Sequence, residues 1–256
     1  DWSPNDNVMW YASYSTGHKP GGFNGGLNTN SELYTPFDEE EVVALEVGVK
    51  STLWDGRAQF NAAVFDYDYK GLQAATPRPA QNQAGILNFL TNLDEASISG
   101  GEAELRLAVT ENVELSLGAS VLDTENNDRG ANFDGPWGRS PRKLANSPEQ
   151  TYNASLAWDI PMENGGNLRF FTDYWYESDH FKTIVNIRAL EVTNQQWNAR
   201  LTYTTPSENL SVSLFGKNIA DRENVVDTLG AGVSLGWGVL VMGQPQTYGV
   251  SLKYRF

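Results

Sequence analysis

Val43-Ala44-Leu45-Glu46-Val47-Gly48-Val49-Lys50 places apolar residues at odd positions and small or charged ones at even positions. Successive side chains of an extended strand point to opposite faces, so this period gives one apolar and one polar face. The pattern returns downstream. Val113, Leu115, Leu117, Ala119 and Val121 alternate with Glu114, Ser116, Gly118 and Ser120. Tyr152, Ala154, Leu156, Trp158 and Ile160 alternate with Asn153, Ser155, Ala157 and Asp159. Thr247 to Phe256 repeats it at the C-terminus. No segment carries a comparable 3.6-residue period, and the fold class is therefore all-β.

Ten strands are expected, at about 7–17, 43–53, 57–69, 86–109, 113–123, 149–160, 167–179, 190–204, 210–219 and 246–256. Gly100-Gly101 in the fourth suggests a bulge or bend. The third is ambiguous, because Phe60, Ala62 and Val64 set one face while Phe65, Tyr67 and Tyr69 fall on the other. Connections alternate in length. Trp54-Asp55-Gly56, Thr110-Glu111-Asn112, 161–166 and 205–209 are short, whereas 18–42, 70–85, 124–148, 180–189 and 220–245 are long and polar. In an up-and-down antiparallel sheet this gathers the turns at one end and the loops at the other. Tight periplasmic turns and long external loops mark an outer-membrane barrel. A tilted strand needs about 9–11 residues to cross the hydrocarbon.

Composition is consistent with that reading once the period is known. The chain has 256 residues, a formal net charge of −14, no cysteine and two histidines. A basic footprint for nucleic acid is missing, and so are disulfides, thiolate metal sites and cysteine nucleophiles. The apolar run 239–242 is far too short for a membrane helix. A mean hydropathy of −0.45 resembles that of a soluble globule, but averages mislead for alternating, loop-rich strands.

Trp54, Trp158, Tyr203, Tyr254 and Phe256 lie near the turn end, and Tyr69, Tyr152, Trp175, Tyr176 and Tyr248 near the loop end. Two such bands match the aromatic girdles of membrane barrels. Glu46, Lys50, Glu102, Glu104, Arg106, Glu114, Arg169, Asp173, Glu177, Arg200, Lys217, Lys253 and Arg255 share the opposite face. A wide lumen holding water or a plug suits a wall of mixed charge.

Catalytic chemistry is sparse. His18 and His180 each begin a loop; a pairing with Ser178 or Asp179 is conceivable, while loop residues are the plainer reading. No HExxH, P-loop or GxGxxG motif occurs. Asp38 to Glu41 is acidic enough to draw a cation but reads better as a solvated loop. Asp123 to Gly130 superficially resembles a calcium loop with a misplaced glycine. No metal site, cofactor or enzyme activity is expected. Among the loops, Lys19-Pro20-Gly21-Gly22-Phe23-Asn24 looks the most ordered. Its glycines and proline either shape a tight rim turn or help form a vestibule. Phe23, Tyr34, Phe37, Phe133, Trp137 and Trp237 supply stacking faces for a sugar or an aromatic chelate.

Four segments carry a resemblance to the TonB-dependent outer-membrane receptors. They are Tyr11 to Asn24, the pair Glu46 to Arg57 and Asn61 to Gln73, Gly216-Lys217-Asn218-Ile219-Ala220-Asp221, and Thr247 to Phe256. Gln246 departs slightly, because related sequences often carry a basic residue there. The resemblance implies a 22-stranded barrel with a plugged lumen, of which residues 1–256 would be the C-terminal portion, with the plug and earlier strands outside the chain. Trp2 to Asn7 reads as a periplasmic turn, and the first strand is expected to pair with an upstream one.

The resemblance further implies an outer-membrane active transporter of a Gram-negative bacterium, taking up a scarce nutrient such as an iron–siderophore. Its partners would be outer-membrane lipid, the siderophore, TonB through the missing N-terminal region, and the barrel assembly machinery. Tyr248, Val250, Leu252, Tyr254 and Phe256 would form the assembly signal. Lys19, Phe23, Asn24, Trp137 and Trp237 are the candidate ligand contacts. Two other classes stay open: a self-closed ten-stranded channel or enzyme, in which the strand at 7–17 pairs with that at 246–256, and a soluble carbohydrate-binding β-sandwich.

Overall fold

A computed structural model describes residues 1–24, 36–79, 86–126, 143–182, 191–229 and 239–256. Among these, every regular element is a strand: β1 (Trp2–Asn5), β2 (Val8–Lys19), β3 (Gly22–Phe23), β4 (Pro36–Phe37), β5 (Glu40–Leu53), β6 (Ala58–Pro79), β7 (Ile86–Thr110), β8 (Val113–Asn126), β9 (Gln150–Pro161), β10 (Asn167–Phe181), β11 (Glu191–Thr204), β12 (Leu210–Lys217), β13 (Val225–Leu229), β14 (Val239–Met242) and β15 (Thr247–Tyr254). No helix is long and apolar enough to cross a membrane.

Eleven strands form one antiparallel sheet in the order β1-β2-β5-β6-β7-β8-β9-β10-β11-β12-β15. All ten expected strands are present in it, each bonded to its neighbour in sequence. Short turns fall at one end. At the β5–β6 turn, Trp54, Asp55 and Gly56 all take positive φ (54°, 55° and 86°), the backbone sense that suits a tight connection between right-twisted strands.

The eleventh strand is β1. Trp2 pairs with Trp10 and Asn5 with Val8, so residues 2–5 are strand and only the hairpin tip is turn, which corrects the expectation for Trp2 to Asn7. The rival architectures also fail. β2 lies between β1 and β5, and β15 pairs with β12, so the strands at 8–19 and 247–254 do not meet. No second large sheet covers the apolar face among the described residues, as a sandwich requires.

That apolar face is exposed. Leu45 is 50% and Val47 49% accessible, and Val64, Val121, Leu214, Val250 and Leu252 are more exposed still. A water-soluble domain rarely exposes so large a contiguous apolar surface, whereas a barrel wall turns it to lipid. Buried residues instead gather toward the loop end, at Leu93, Ala96, Thr124, His180, Phe181, Asn194, Asn218 and Val225.

Register settles the remaining expectations. Glu46 faces Phe65, and Ala44 faces Tyr67, which puts Phe65, Tyr67 and Tyr69 on the polar face. Trp175 lies opposite Asn153, and Glu177 opposite Thr151, so Trp175 is inward too. Tyr69 and Trp175 thus leave the outer girdle, where Tyr152 and Tyr176 stack at 6.0 Å. Gly100-Gly101 runs through both of its ladders with no register shift. Gly100 is there for room: a Cβ would meet the Val121 carbonyl oxygen and lie 3.1 Å from Phe65 Cζ. The long connections also contain structure of their own, the small hairpins β3–β4 and β13–β14.

Candidate functional site

Following the pairs across the sheet, Glu46, Lys50, Glu102, Glu104, Arg106, Glu114, Arg169, Asp173, Glu177, Arg200, Lys217 and Lys253 all lie on one face. Tyr11 donates to Glu46 Oε1 at 2.7 Å and Tyr67 to Oε2 at 3.3 Å, so the carboxylate is held by two hydroxyls. Glu102 and Glu104 lie on β7, one strand beyond β6. Arg169 pairs with Asp159 at 2.8 Å. Lys50 sits over the Tyr11 ring at 5.5 Å and Arg200 over Phe215 at 5.3 Å, a favourable placement of a cation on a π-face. The wall is thus polar, charged in both signs and lined by aromatic rings.

At the loop end, Lys19 pairs with Glu40 as the last residue of β2. Phe23 pairs with Pro36 in the β3–β4 hairpin and is 72% accessible. Asn24 turns its amide to the backbone of Leu90. Trp137 and Trp237 lie outside the described residues, as do Tyr34 and Phe133.

The histidines do not come together. His18 is exposed opposite Glu41, six strands away from β10 in the sheet order. His180 is 3% accessible, with Nδ1 2.8 Å from the Ser178 carbonyl oxygen. Its Nε2 lies 3.7 Å from Glu177 Oε2, which also takes a bond from Asn194 at 3.1 Å. This is a packed polar knot. No group of metal-ligating side chains suited to an ion occurs among the described residues. Asp123, two residues beyond the last apolar outward side chain of β8, is bonded to Lys143 at 2.8 Å, and Lys143 also reaches Glu149 at 2.9 Å. The ammonium holds the Asp123 carboxyl below the usual carboxylate range, and the carboxylate raises Lys143 in turn.

Near the C-terminus, Tyr248, Val250, Leu252 and Tyr254 all face outward and are exposed. Phe256 packs edge-on against Tyr254 with centroids 5.0 Å apart. Asn218, fully buried and at φ 49°, closes the turn after β12. Its Nδ2 donates to the carbonyls of Arg222 (2.8 Å) and Gln244 (3.1 Å), and its Oδ1 accepts from Arg222 N at 3.0 Å. Asn194 and Asn224 knit β11 to β13 in the same manner. Asn218 falls in the Gly216–Asp221 segment that carries the resemblance, but its turn-closing role, and Asn194 and Asn224 altogether, were not singled out by the sequence; the signal available was the recurrence of asparagine at strand–loop junctions.

The family model described as TonB dependent receptor-like, beta-barrel, matches residues 1–219. The chain belongs to the TonB-dependent receptor β-barrel family. It is a wall of a Gram-negative outer-membrane barrel, and its polar face is the luminal one. Among TonB-dependent receptors, the probable siderophore receptor PiuA of Acinetobacter baumannii is 26% identical over 168 residues, or 63% of this chain and 20% of that protein. An iron-regulated outer membrane virulence protein of Vibrio cholerae is 39% identical over 92 residues, 35% of this chain and 13% of that protein. The crystal structure of the ferric yersiniabactin uptake receptor FyuA from Yersinia pestis superposes with a TM-score of 0.76 at 18% identity, over 100% of this chain and 36% of that one. The chain therefore spans about a third of the solved receptor and about a fifth of the curated relative that it matches.

Proposed function

We propose that residues 1–256 form the C-terminal portion of a 22-stranded receptor barrel whose plug and earlier strands lie elsewhere in the same polypeptide. The whole protein would be an active transporter and not an enzyme, drawing energy through TonB by way of a region outside this chain. Its cargo would be a scarce nutrient, and an iron–siderophore is favoured because PiuA is named a siderophore receptor and FyuA a ferric yersiniabactin uptake receptor. The observation that carries the reading is the inside-out sheet itself: an exposed apolar face for lipid, backed by a continuous charged wall.

Within that proposal, Lys19, Phe23, Trp137 and Trp237 would meet the cargo at the mouth. Asn24 would act beside them by holding the loop, because its amide is already bonded to Leu90. Tyr248, Val250, Leu252, Tyr254 and Phe256 would be read by the barrel assembly machinery as an exposed strand of alternating apolar residues. The test is uptake of radiolabelled ferric siderophores by a strain lacking the gene, complemented with either the full-length receptor or residues 1–256 alone. Energised uptake restored only by the full-length receptor, and lost without TonB, is expected. Uptake that is indifferent to the deletion, or sustained by residues 1–256, overturns the proposal.

A further inference from the structure

A groove of about 680 Å³ crosses the outward face of β11, β12 and β15, a volume in the range of small-molecule sites. Missing bulk makes its floor, where Ala199 pairs with Gly216, and Gly216 with Tyr248. One outward pair nearer the turn end, Leu201, Leu214 and Val250 stand in register and exposed, forming an apolar rim. On the loop side, Ile219 and Tyr248 close over the floor. A Cβ on Gly216 would lie 2.6 Å from Ile219 Cγ2 and 2.9 Å from the Tyr248 ring. The next outward pair of β10 and β11 in that direction is Tyr174 with Trp197. Trp197 Nε1 donates to Thr172 Oγ1 at 2.7 Å, and Thr172 Oγ1 donates to the Asn198 carbonyl at 2.8 Å. Those polar atoms are satisfied within the wall, and nearly all the surface left open in the groove is apolar.

We propose that this groove is a lipid site, holding one acyl chain of an outer-leaflet lipid across Ala199 and Gly216, beneath the rings of Trp197 and Tyr248. The groove opens onto the apolar face of the sheet, which the bilayer covers in this family, so its occupant comes from an interface already in place. Its position selects the leaflet: Gly216 is next to last in β12 and Tyr248 second in β15, both at the loop end. Inside a membrane no water is released when apolar surfaces meet, so packing decides what binds. A chain on the flat wall touches protein on one side. A chain in the recess meets the floor and both rims, and dispersion attraction grows with the number of such contacts. A second copy of the receptor suits the site less well, because a stable interface takes about 800 Å² from each partner and needs a broad matching surface rather than a narrow recess. The proposal rests on the barrel wall and not on the cargo.

Native mass spectrometry of the full-length receptor, delipidated in detergent and titrated with dipalmitoyl phosphatidylethanolamine, tests this. One lipid is expected to bind at a roughly tenfold lower concentration than the next. Dipalmitoyl phosphatidylglycerol should behave alike and dihexanoyl phosphatidylethanolamine should not bind, because the chain and not the head group is recognised. Ala199→Leu fills the floor without adding polarity and should raise the concentration needed for the first lipid about tenfold. Ala119→Leu, on the outward face of β8, should leave it unchanged. Successive lipids of equal affinity overturn the proposal, as does a first lipid retained at full affinity by Ala199→Leu or weakened equally by Ala119→Leu. Binding that follows the head group, or a receptor dimer that forms in place of the lipid complex, overturns it too. Should Ala199→Leu fail to fold, Leu214→Ala decides. It lowers the rim, so a roughly threefold or greater loss of first-lipid affinity is required, and full affinity overturns the proposal.

Discussion

Tyr11 and Gly48 face each other across the β2–β5 pair, and the Tyr11 ring lies over residue 48, where a Cβ would sit 2.5 Å from ring atoms. Phe215 lies over Gly249 in the same way, with Cζ 2.5 Å from the Cβ position. An absent side chain on one strand seats a ring from its neighbour, the cross-strand rescue of a strand glycine by an aromatic.

These seats differ in what would have to yield. Gly48→Ala displaces only the far end of the Tyr11 side chain, so it should cost about 1 kcal/mol, chiefly the bond to Glu46. Gly100→Ala meets the Val121 backbone carbonyl, which the ladder fixes, and should cost about 3 kcal/mol. Denaturant midpoints of the receptor refolded in lipid vesicles measure both, and equal losses would contradict the seating account.

Val47 and Ser116 test the two faces. Val47 lies mid-strand on the exposed apolar side, and Ser116 pairs with Arg106 on the luminal side. Val47→Arg should cost about 2–4 kcal/mol of insertion free energy. Ser116→Arg should cost about 1 kcal/mol or less, since its head group stays in water. Comparable folding yields in vesicles for the two variants would reverse the face assignment.

Asn218 separates backbone from side-chain effects at the β12 turn. Asn218→Ala loses its amide bonds and retains a left-handed backbone, for about 2–4 kcal/mol of local stability. Asn218→Gly loses the bonds but relaxes the backbone, and should recover about 1 kcal/mol. Protease nicking within 219–246 reads the difference, in the order Ala, then Gly, then the parent chain. The reverse order would show that backbone strain is immaterial there.

Much of this fold was legible because a membrane strand must keep its period: 43–50, 113–121 and 152–160 declare their faces, and the charged residues assigned to the lumen share one face wherever a ladder holds them, which leaves out only Arg255 beyond the end of β15. What stayed illegible depended on partners. Tyr69 and Trp175 sit where girdle residues sit in height, and only pairing with Val42 and Asn153 turns them inward. Gly100-Gly101 looked like a bulge because the ring of Phe65 comes from another strand. The short β1 has turn composition and becomes strand only against β2. At the mouth, Lys19, Phe23 and Asn24 stood out by composition. Gln73 and Asn92, however, look like ordinary polar residues until a loop far off in sequence offers them carbonyls.

Because neighbours in this sheet are neighbours in the chain, the wall is a ribbon folded back and forth, and each outer connection begins and ends on adjacent strands. Lengthening such a connection leaves every ladder in place, and doubling it adds only about 0.6 kcal/mol of closure entropy. The mouth and the wall can therefore diverge at different rates. On the proposed function, rewriting the segments around 25–35, 80–85 or 127–142 would change what the receptor takes up while the same ribbon keeps its place in the bilayer.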